Sequence, residues 1–220
     1  MLEQFPNMEQ RTDEWYAARR GIVTASVVGQ LVTGKTLKVA DNDYSRAITA
    51  QLAAERITGT TDPTFTNDDM LRGVLDEPFA VEKYAEHYAP VTTTGFMVRR
   101  EDGWTLGYSP DGLVGEDGLL EIKCPRAKTH LRTILSDEVP PRHMPQLQAG
   151  LLVTGRAWVD FVSYYGGMPL YVKRVYPDPA WLDAIENACR QFEQTVNQML
   201  DTYDTLAADM PETERLEIIL

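Results

Sequence analysis

The chain alternates between stretches with a helical spacing of apolar residues and stretches with a strand-like pattern. Apolar residues that recur every three or four positions predict amphipathic helices, and short apolar runs between clusters such as EDG, SPDG and GGMP predict strands joined by turns. The predicted helices span residues 12–20, 24–34, 44–57, 68–88, 126–135, 144–153 and 181–206, and the predicted strands span residues 91–99, 104–109, 119–124, 157–165 and 170–176.

The order of these elements indicates the fold class. Helices come first, strands follow in the middle of the chain, and helices and strands alternate after that. This order is typical of an α/β fold. We expect residues 1–220 to form a single domain, with a helical segment at about 178–220 packed on it.

Composition excludes several classes of protein. A hydrophobic share of 43% with 25% charged residues excludes global disorder. No stretch is long and apolar enough to cross a bilayer, and the first residues lack a signal-peptide core, so we expect a cytoplasmic protein without membrane attachment. Two cysteines and three histidines without ligand spacing exclude a disulfide framework and a zinc cage.

The formal net charge of −12 is unevenly distributed along the chain. Residues 178–220 carry ten acids and two bases, whereas residues 122–136 carry four bases and no acid. The acidic total argues against indiscriminate binding of nucleic acid, but one basic surface remains possible. We interpret the acidic segment as an outer surface that avoids DNA or as a docking face for a basic partner.

The stretch SPDGLVGEDGLLEIKCP at residues 109–125 concentrates the candidate chemistry. Alternate residues of a strand face the same side, so Glu121 and Lys123 project together. A three-residue loop that ends in a left-handed Gly118 would place Asp111 opposite Lys123. We therefore expect the two carboxylates and the ammonium to share one surface.

Such a surface would suit a Mg²⁺ site for phosphodiester hydrolysis. Asp111 and Glu121 would supply hard oxygen ligands, and the Ile122 carbonyl lies between them. The ion would neutralise the phosphate and lower the pKa of a bound water, and Lys123 could hold that water. On these residues alone, an exposed hairpin without a chemical role fits at least as well, because both the turn and the E-x-K pair are common.

Further motifs surround this hairpin: W-x3-R-x-G-x2-T-A-S at 15–26, G-x3-E at 73–77 and Q-x-Q at 146–148. With SPDG and LEIKCP, over about residues 11–175, they resemble the lambda-exonuclease, or YqaJ-type viral recombinase, family of the PD-(D/E)XK nuclease superfamily. The resemblance implies a restriction-endonuclease-like core with a central mixed sheet flanked by helices. It also implies a Mg²⁺-dependent exonuclease, with Mn²⁺ able to substitute, that digests one strand of linear duplex DNA from its 5′ end and leaves 3′ overhangs.

The resemblance assigns roles residue by residue. For Glu77 on its predicted helix and for Gln146, a solvent-exposed side chain without a role in the site remains the alternative. The implied metal ligands are Asp111, Glu121, the Ile122 carbonyl and Glu77, the last directly or through water; Lys123 is the implied catalytic lysine, and Gln146 lies beside the active centre.

A pocket for the 5′-terminal phosphate is implied at Arg19 and Ser26, together with Thr24. A guanidinium can grip a phosphate with two hydrogen bonds, and a helix that begins near Thr24 would present amide hydrogens to an anion. Alternatively, Thr24 is only a helix cap and Arg19 a surface side chain. The candidates for contacts with the DNA backbone are Arg126, Lys128 and Arg132.

The resemblance further implies a homotrimeric ring around DNA ends, a single-strand annealing protein as partner, and a bacterial or phage-infected bacterial cell. Two other functions stay open: a PD-(D/E)XK endonuclease of the restriction or junction-resolving type, and a non-catalytic scaffold that binds DNA ends. The clustered carboxylates argue against the scaffold, because without a metal they repel phosphate.

Overall fold

A computed structural model describes residues 1–62 and 68–214 and confirms the α/β prediction. Apart from one helix and one strand discussed below, the predicted elements are present, with bounds within two residues of those expected. The helices are α1 (Asp13–Arg19), α2 (Asp43–Thr58), α3 (Asp68–His87), α4 (Ala127–Ser136), α5 (Met144–Thr154) and α6 (Pro179–Ala207). The strands are β1 (Leu2–Phe5), β2 (Val91–Thr92), β3 (Phe96–Glu101), β4 (Trp104–Tyr108), β5 (Gly112–Val114), β6 (Gly118–Lys123), β7 (Trp158–Ser163) and β8 (Tyr171–Val175).

The larger sheet is mixed and has the strand order β2-β5-β6-β7-β8. Strands β6 and β7 run parallel, with α4 and α5 in the crossover between them, while the other neighbours are antiparallel. All residues of β6 except the last are buried. The E-x-K motif therefore lies on the central strand of the sheet and not on an exposed edge.

The smaller sheet has the order β1-β3-β4, and it corrects the predicted strand at 91–99. That stretch forms two strands in different sheets, because β2 pairs with β5 whereas β3 pairs with β1 and β4. Hydrophobic patterning marks both pieces as extended, but it does not tell which partner each one pairs with.

Apolar layers cover both faces of β6. Leu119 belongs to the main core, which is formed with α2, α5 and α6. Leu120 and Ile122 point the other way and pack with Ala80 and Tyr84 of α3 in a second cluster. Because side chains alternate along a strand, the E-x-K side chains share the face of Leu119 and project towards the main core.

The predicted helix at 24–34 is wrong. Thr24 forms a parallel bridge with Gly107 of β4, and its carbonyl accepts from the amides of Val27 and Val28 at 3.0 Å in a single turn. The regular helical structure that follows is one short 3₁₀ segment, Val28–Gln30. Backbone hydrogen bonds of 2.8 and 2.9 Å with Gly107 hold the chain on both sides of Thr24 against the edge of β4. The β-branched residues of this stretch suit extended pairing, and that pairing outweighs the weak helical periodicity.

Helix α6 packs on the main core through buried residues that end at Val196. From residue 201 to residue 210, every side chain except the half-buried Ala207 is exposed. The single domain over residues 1–220 stays a prediction, and its last residues, 215–220, lie outside the described part. Among the described helices, none is long and apolar enough to cross a membrane.

Candidate active site

The turn between β5 and β6 differs from the predicted loop. Gly118 is not left-handed but is the first residue of β6, where it pairs with Val114. The left-handed residue is Gly115, at φ 56°. A side chain at position 118 would collide with the Trp158 indole on β7, so close packing, and not turn conformation, requires this glycine. The ladder is therefore displaced by two residues from the predicted register.

The corrected register brings Asp111 opposite Glu121 instead of Lys123. Because the displacement is an even number of residues, the carboxylates still share one face. The Asp111 carboxylate, directly before the first residue of β5, accepts a 2.6 Å hydrogen bond from the amide of Ile122. The amide and the carbonyl of a strand residue point to the same side, so the Ile122 carbonyl also faces Asp111.

Glu121 is held by donors from three elements. It is 1% exposed, which makes the exposed-hairpin alternative wrong for this residue. Its Oε1 accepts from Lys123 Nζ at 2.7 Å and from Gln146 Nε2, and its Oε2 accepts from the Tyr108 hydroxyl at 2.9 Å. Burial and the charge of Glu121 raise the pKa of Tyr108, so the phenol stays protonated and donates.

Glu77 approaches the same group from α3. Its Oε2 lies 3.7 Å from Arg11 Nη2. Burial raises the pKa of Glu77; the cations Arg11 and Lys123 oppose that rise, and the charge of Glu121 adds to it. Burial, and then the charge of Glu121, also raise the pKa of Asp111 well above its usual value. The three carboxylates are therefore close enough to repel one another.

Lys123 carries the positive charge at the centre of this group. Burial alone would lower the pKa of its ammonium, but the carboxylates of Glu121 and Asp111 outweigh burial and raise it. Two cations, Lys123 and Arg11, face three carboxylates, so acidic groups outnumber basic ones in this group.

The oxygen atoms of this group suit a hard divalent cation. Carboxylate and carbonyl oxygens are the ligands that Mg²⁺ prefers, and burial, with the charge of Glu121 adding to it, raises the pKa of both Asp111 and Glu77. Within residues 1–62 and 68–214, however, no three His, Cys, Asp or Glu side chains are arranged so that they could hold a metal ion. Asp111 and Glu121 instead accept hydrogen bonds from the Ile122 amide and from Lys123. The chemistry fits, although the site is not preformed.

A second polar group surrounds Arg19 at the end of α1. Its Nη1 lies 3.3 Å from Ser109 Oγ, and its Nη2 lies 3.4 Å from both Thr24 Oγ1 and Ser26 Oγ. The guanidinium stacks on Trp15 at 3.9 Å from the ring centroid, and Trp15 Nε1 donates to Ser109 at 2.9 Å. The structure therefore brings all three predicted phosphate-pocket residues together.

The Arg19 group is a cation among neutral partners. Each hydrogen bond of its guanidinium to the described residues goes to a hydroxyl, not to a carboxylate. Burial lowers the pKa of Arg19 to about 10, so the side chain remains charged at neutral pH. The expected helix start at Thr24 is absent, and the affinity for an anion rests on the guanidinium and the hydroxyls instead.

A cleft of about 460 Å³ borders the Arg19 group. Ser26 of the Arg19 group lines it on one side, and Pro145, the neighbour of Gln146, lines it on the other. Lys35 and Arg142 add two positive charges, and the described residues that line the cleft include no acid. The cleft is therefore electropositive in an acidic protein.

The three basic residues of the α4 region differ in their surroundings. Arg126 has a side chain that is 74% exposed and pairs with Asp69 at 2.7 Å. Lys128 and Arg132 are exposed one turn apart on α4 and form no hydrogen bond or ion pair with any described residue. Two of the three candidate backbone contacts are therefore uncompensated cations.

Sequence reasoning missed three residues of these groups. Ser109 stands in the SPDG motif, but the motif predicted a turn and no contact with Arg19. Tyr108 belongs to the smaller sheet and Arg11 to the start of the chain, so no local spacing connects either residue with the carboxylates. Only the tertiary packing brings these residues to the site.

Comparison with known proteins gives both a family and a fold. The family profile of the YqaJ-like viral recombinase domain matches residues 14–157. The chain is similar to the alkaline exonuclease LHK-Exo from Laribacter hongkongensis, with 35% identity and a TM-score of 0.80 over 91% of this chain and 100% of that chain; the values for its complex with dAMP are the same. A phage related exonuclease from Haemophilus somnus 129PT shares the fold at 12% identity and a TM-score of 0.62, over 82% of this chain and 96% of that chain. The comparison with curated proteins gives no match.

These findings confirm the resemblance and the expected architecture. The mixed sheet with its flanking helices is the restriction-endonuclease-like core that the motifs implied. The family profile covers more than half of the chain and includes both polar groups described above. The chain belongs to the YqaJ-like viral recombinase family.

Proposed function

We propose that this protein is a Mg²⁺-dependent 5′→3′ exodeoxyribonuclease that digests one strand of linear double-stranded DNA. The products would be 3′ single-stranded overhangs for recombination by strand annealing. The family and the exonuclease relatives support a nuclease that acts on DNA. The observation that carries the proposal is the group of Asp111, Lys123 and Gln146 around Glu121, which the segment from Ser109 to Asp111 joins to the Arg19 group.

The metal would bind to oxygen ligands of the Glu121 group. Bound there, it would neutralise the phosphate and lower the pKa of the attacking water. Mn²⁺ would substitute for Mg²⁺, because both ions accept carboxylate and carbonyl oxygens. The residues that would hold it are Asp111, Glu121, the Ile122 carbonyl and Glu77.

The protein's own donors position the reacting groups. Lys123 lies at the end of β6 with its ammonium in the carboxylate cluster, so it can donate to the attacking water and to oxygens on which negative charge develops. Gln146 and Tyr108 hold Glu121 from two other directions, which fixes the orientation of that carboxylate. Gln146 therefore acts as a positioning residue in this proposal.

The Arg19 group would bind the 5′-terminal phosphate. A terminal phosphate has three strong acceptor oxygens and more negative charge than an internal one, and here a guanidinium fork and the hydroxyls of Ser26 and Thr24 would meet it. With the end held there, the following phosphodiester would lie near the Glu121 group, because Ser109, which contacts Arg19, is only two residues before Asp111. This arrangement favours cleavage from an end over internal cleavage.

The surrounding cations would guide the rest of the duplex. Lys128 and Arg132 on α4 have no acidic partner among the described residues, so they are free to contact DNA phosphates. Arg126 would have to leave Asp69 before it could do so.

We further propose a homotrimeric ring around the DNA, a single-strand annealing protein as partner, and action in the cytoplasm of a bacterial or phage-infected bacterial cell. Family membership supports each of these elements. Sedimentation of the purified protein tests the ring, for which we expect a mass of three times the 24.8 kDa of one chain.

The central experiment uses linear duplex DNA labelled on one strand, with either a 5′ phosphate or a 5′ hydroxyl. We expect mononucleotides to be released from the 5′ end with Mg²⁺, faster with the phosphate and not at all with EDTA. The matched control is the Lys123→Ala variant, which should bind the same DNA but leave it intact.

The two alternatives give different outcomes in the same assay. Covalently closed circular duplex has no end, so its cleavage would assign the protein to the endonuclease branch and contradict the end-dependent proposal. If DNA ends are bound but no substrate is cleaved with Mg²⁺ or Mn²⁺, the protein is a non-catalytic scaffold.

A further inference from the structure

The residue that follows Arg19 lines a separate cavity. Arg19 ends α1, and Arg20 continues in an extended conformation at φ −60° and ψ 128°, so the two side chains diverge. Arg19 contacts Ser109, whereas Arg20 lines a cavity of about 260 Å³ together with Arg56 and Arg100. Nothing in the proposed cleavage uses this second cavity.

The wall of the Arg20 cavity has an excess of positive charge. Its charged residues are three arginines and one acid, Glu193, which leaves two positive charges in excess. Glu193 is fully engaged, because each of its oxygens accepts a 2.8 Å hydrogen bond from Arg56. Arg100 donates through Nε to Glu3 at 3.1 Å, and its other nitrogens form no hydrogen bond with the described residues. In a chain of net charge −12, such a wall is the reverse of the average surface.

Arg20 itself lacks an acceptor. Its side chain forms no ion pair or hydrogen bond with any residue that the structure describes, and its Nε is buried without a partner. Glu55 already accepts a 2.8 Å hydrogen bond from the amide of Gly21, the residue that follows Arg20. Because the Nε is closed to solvent, a ligand would be met by the outer nitrogens of Arg20, and the excess positive charge of the wall suits the cavity to an anion with acceptor oxygens.

We propose that the Arg20 cavity binds a phosphate group. Phosphate has at least three strong acceptor oxygens and can accept from Arg20 and Arg100 together, whereas a carboxylate has only two. The volume of about 260 Å³ is below the ~300–1,000 Å³ of pockets that enclose a whole drug-sized ligand. The cavity therefore has room for a phosphate group, whether it is inorganic phosphate or the phosphate of a nucleoside monophosphate. The proposal does not rest on the proposed function.

The test separates this cavity from the Arg19 group. The full-length Arg19→Ala variant, in EDTA and at constant ionic strength, is titrated with inorganic phosphate or with dAMP, and the melting temperature and the heat of binding are measured. We expect a saturable rise in melting temperature that chloride does not reproduce. Adding Arg20→Gln should weaken phosphate binding at least about tenfold, because it removes a charge-assisted bidentate contact. Equal affinities for the two probes would identify a terminal phosphate as the ligand, and binding of inorganic phosphate alone would identify the free ion.

Two controls keep the result decisive. Arg46→Gln removes another exposed arginine, one that pairs with Asp41 and Asp43, and it should leave phosphate binding unchanged. If the Arg20→Gln variant does not fold, Arg100→Gln replaces a more exposed lining residue and should weaken binding several-fold. The proposal is overturned if neither probe binds to the Arg19→Ala variant, or if binding persists unchanged after Arg20→Gln. The assay involves neither DNA nor cleavage, so its failure is distinguishable from a failure of the exonuclease proposal.

Discussion

The Glu121 group and the Arg19 group both bury a charged side chain, but they compensate it differently. The Glu121 carboxylate is 1% exposed and accepts hydrogen bonds from Lys123, Gln146 and Tyr108. Among the described residues, the hydrogen bonds of the Arg19 guanidinium go to neutral hydroxyls, and the group lies over the Trp15 and Phe96 rings. A paired charge is stable within the protein, whereas an unpaired one is stabilised by a ligand of opposite sign. The difference suits the first group to positioning a reaction and the second to binding an anion.

The strongest way to break this comparison is to remove the ammonium of the Glu121 group. We expect Lys123→Ala to lower the initial rate of cleavage of 5′-phosphorylated linear duplex by roughly 10²–10³-fold or more, the scale for loss of one donor to developing charge. DNA binding should persist, because the Arg19 group is unchanged. Lys83→Ala, at an exposed side chain that pairs with Glu86, is the matched control and should cleave at nearly the original rate. Near-normal cleavage by Lys123→Ala would contradict the assignment.

Arg19→Ala tests the other half of the comparison. A charge-assisted bidentate contact contributes about 1.5–3 kcal/mol, so the rate on 5′-phosphorylated ends should fall roughly 10–100-fold. The rate on 5′-hydroxyl ends should barely change, because that substrate lacks the group that Arg19 would bind. Arg19→Lys keeps the charge without the fork and should recover only part of the preference. An equal loss on both kinds of end would show that Arg19 has no role in recognising the phosphate.

The Arg19 group shows what the sequence could predict. Arg19, Thr24 and Ser26 lie within eight positions of one another, and the structure brings them within hydrogen-bond distance. The contact survives even though the predicted helix at 24–34 is absent, because the bridge to Gly107 holds the same segment in place. The short spacing of these three residues along the chain therefore predicts the group correctly, although the secondary structure predicted for the segment is wrong.

The hairpin register shows what local sequence could not decide. The turn GEDG begins and ends with glycine, and both Gly115 and Gly118 can adopt a left-handed conformation. The choice is made by Trp158, which lies forty residues further along the chain and leaves no room for a side chain at position 118. Asp111 and Glu121 still lie together, because a register shift of two residues leaves each side chain on the same face of the strand.

Tyr108→Phe sharpens the account of how the Glu121 charge is compensated. The substitution keeps the ring but removes the hydroxyl that donates to Glu121 at 2.9 Å. Because a buried acceptor loses one donor, we expect the free energy of unfolding to fall by about 1–3 kcal/mol. Cleavage should fall less than in Lys123→Ala. Tyr44→Phe, at a side chain that is 77% exposed, is the control and should stay within about 0.5 kcal/mol of the original protein. Unchanged stability in Tyr108→Phe would mean that the remaining donors suffice for Glu121.

The smallest expected effect concerns the basic residues near α4, and it extends the comparison to the surface. Arg126 resembles the Glu121 group, because its charge is already paired with Asp69 at 2.7 Å, whereas Lys128 and Arg132 resemble Arg19 in having no acidic partner among the described residues. Each phosphate contact contributes about 0.9 to the slope of log K against log salt for duplex DNA. We therefore expect Lys128→Ala and Arg132→Ala each to reduce that slope by about 1, and Arg126→Ala to reduce it by less, when binding is measured by fluorescence anisotropy in EDTA. An unchanged slope in the variant that combines all three substitutions would remove this surface from the DNA path. An equal reduction by Arg126→Ala would mean that DNA displaces Asp69 from Arg126 at little cost, as expected for an exposed ion pair.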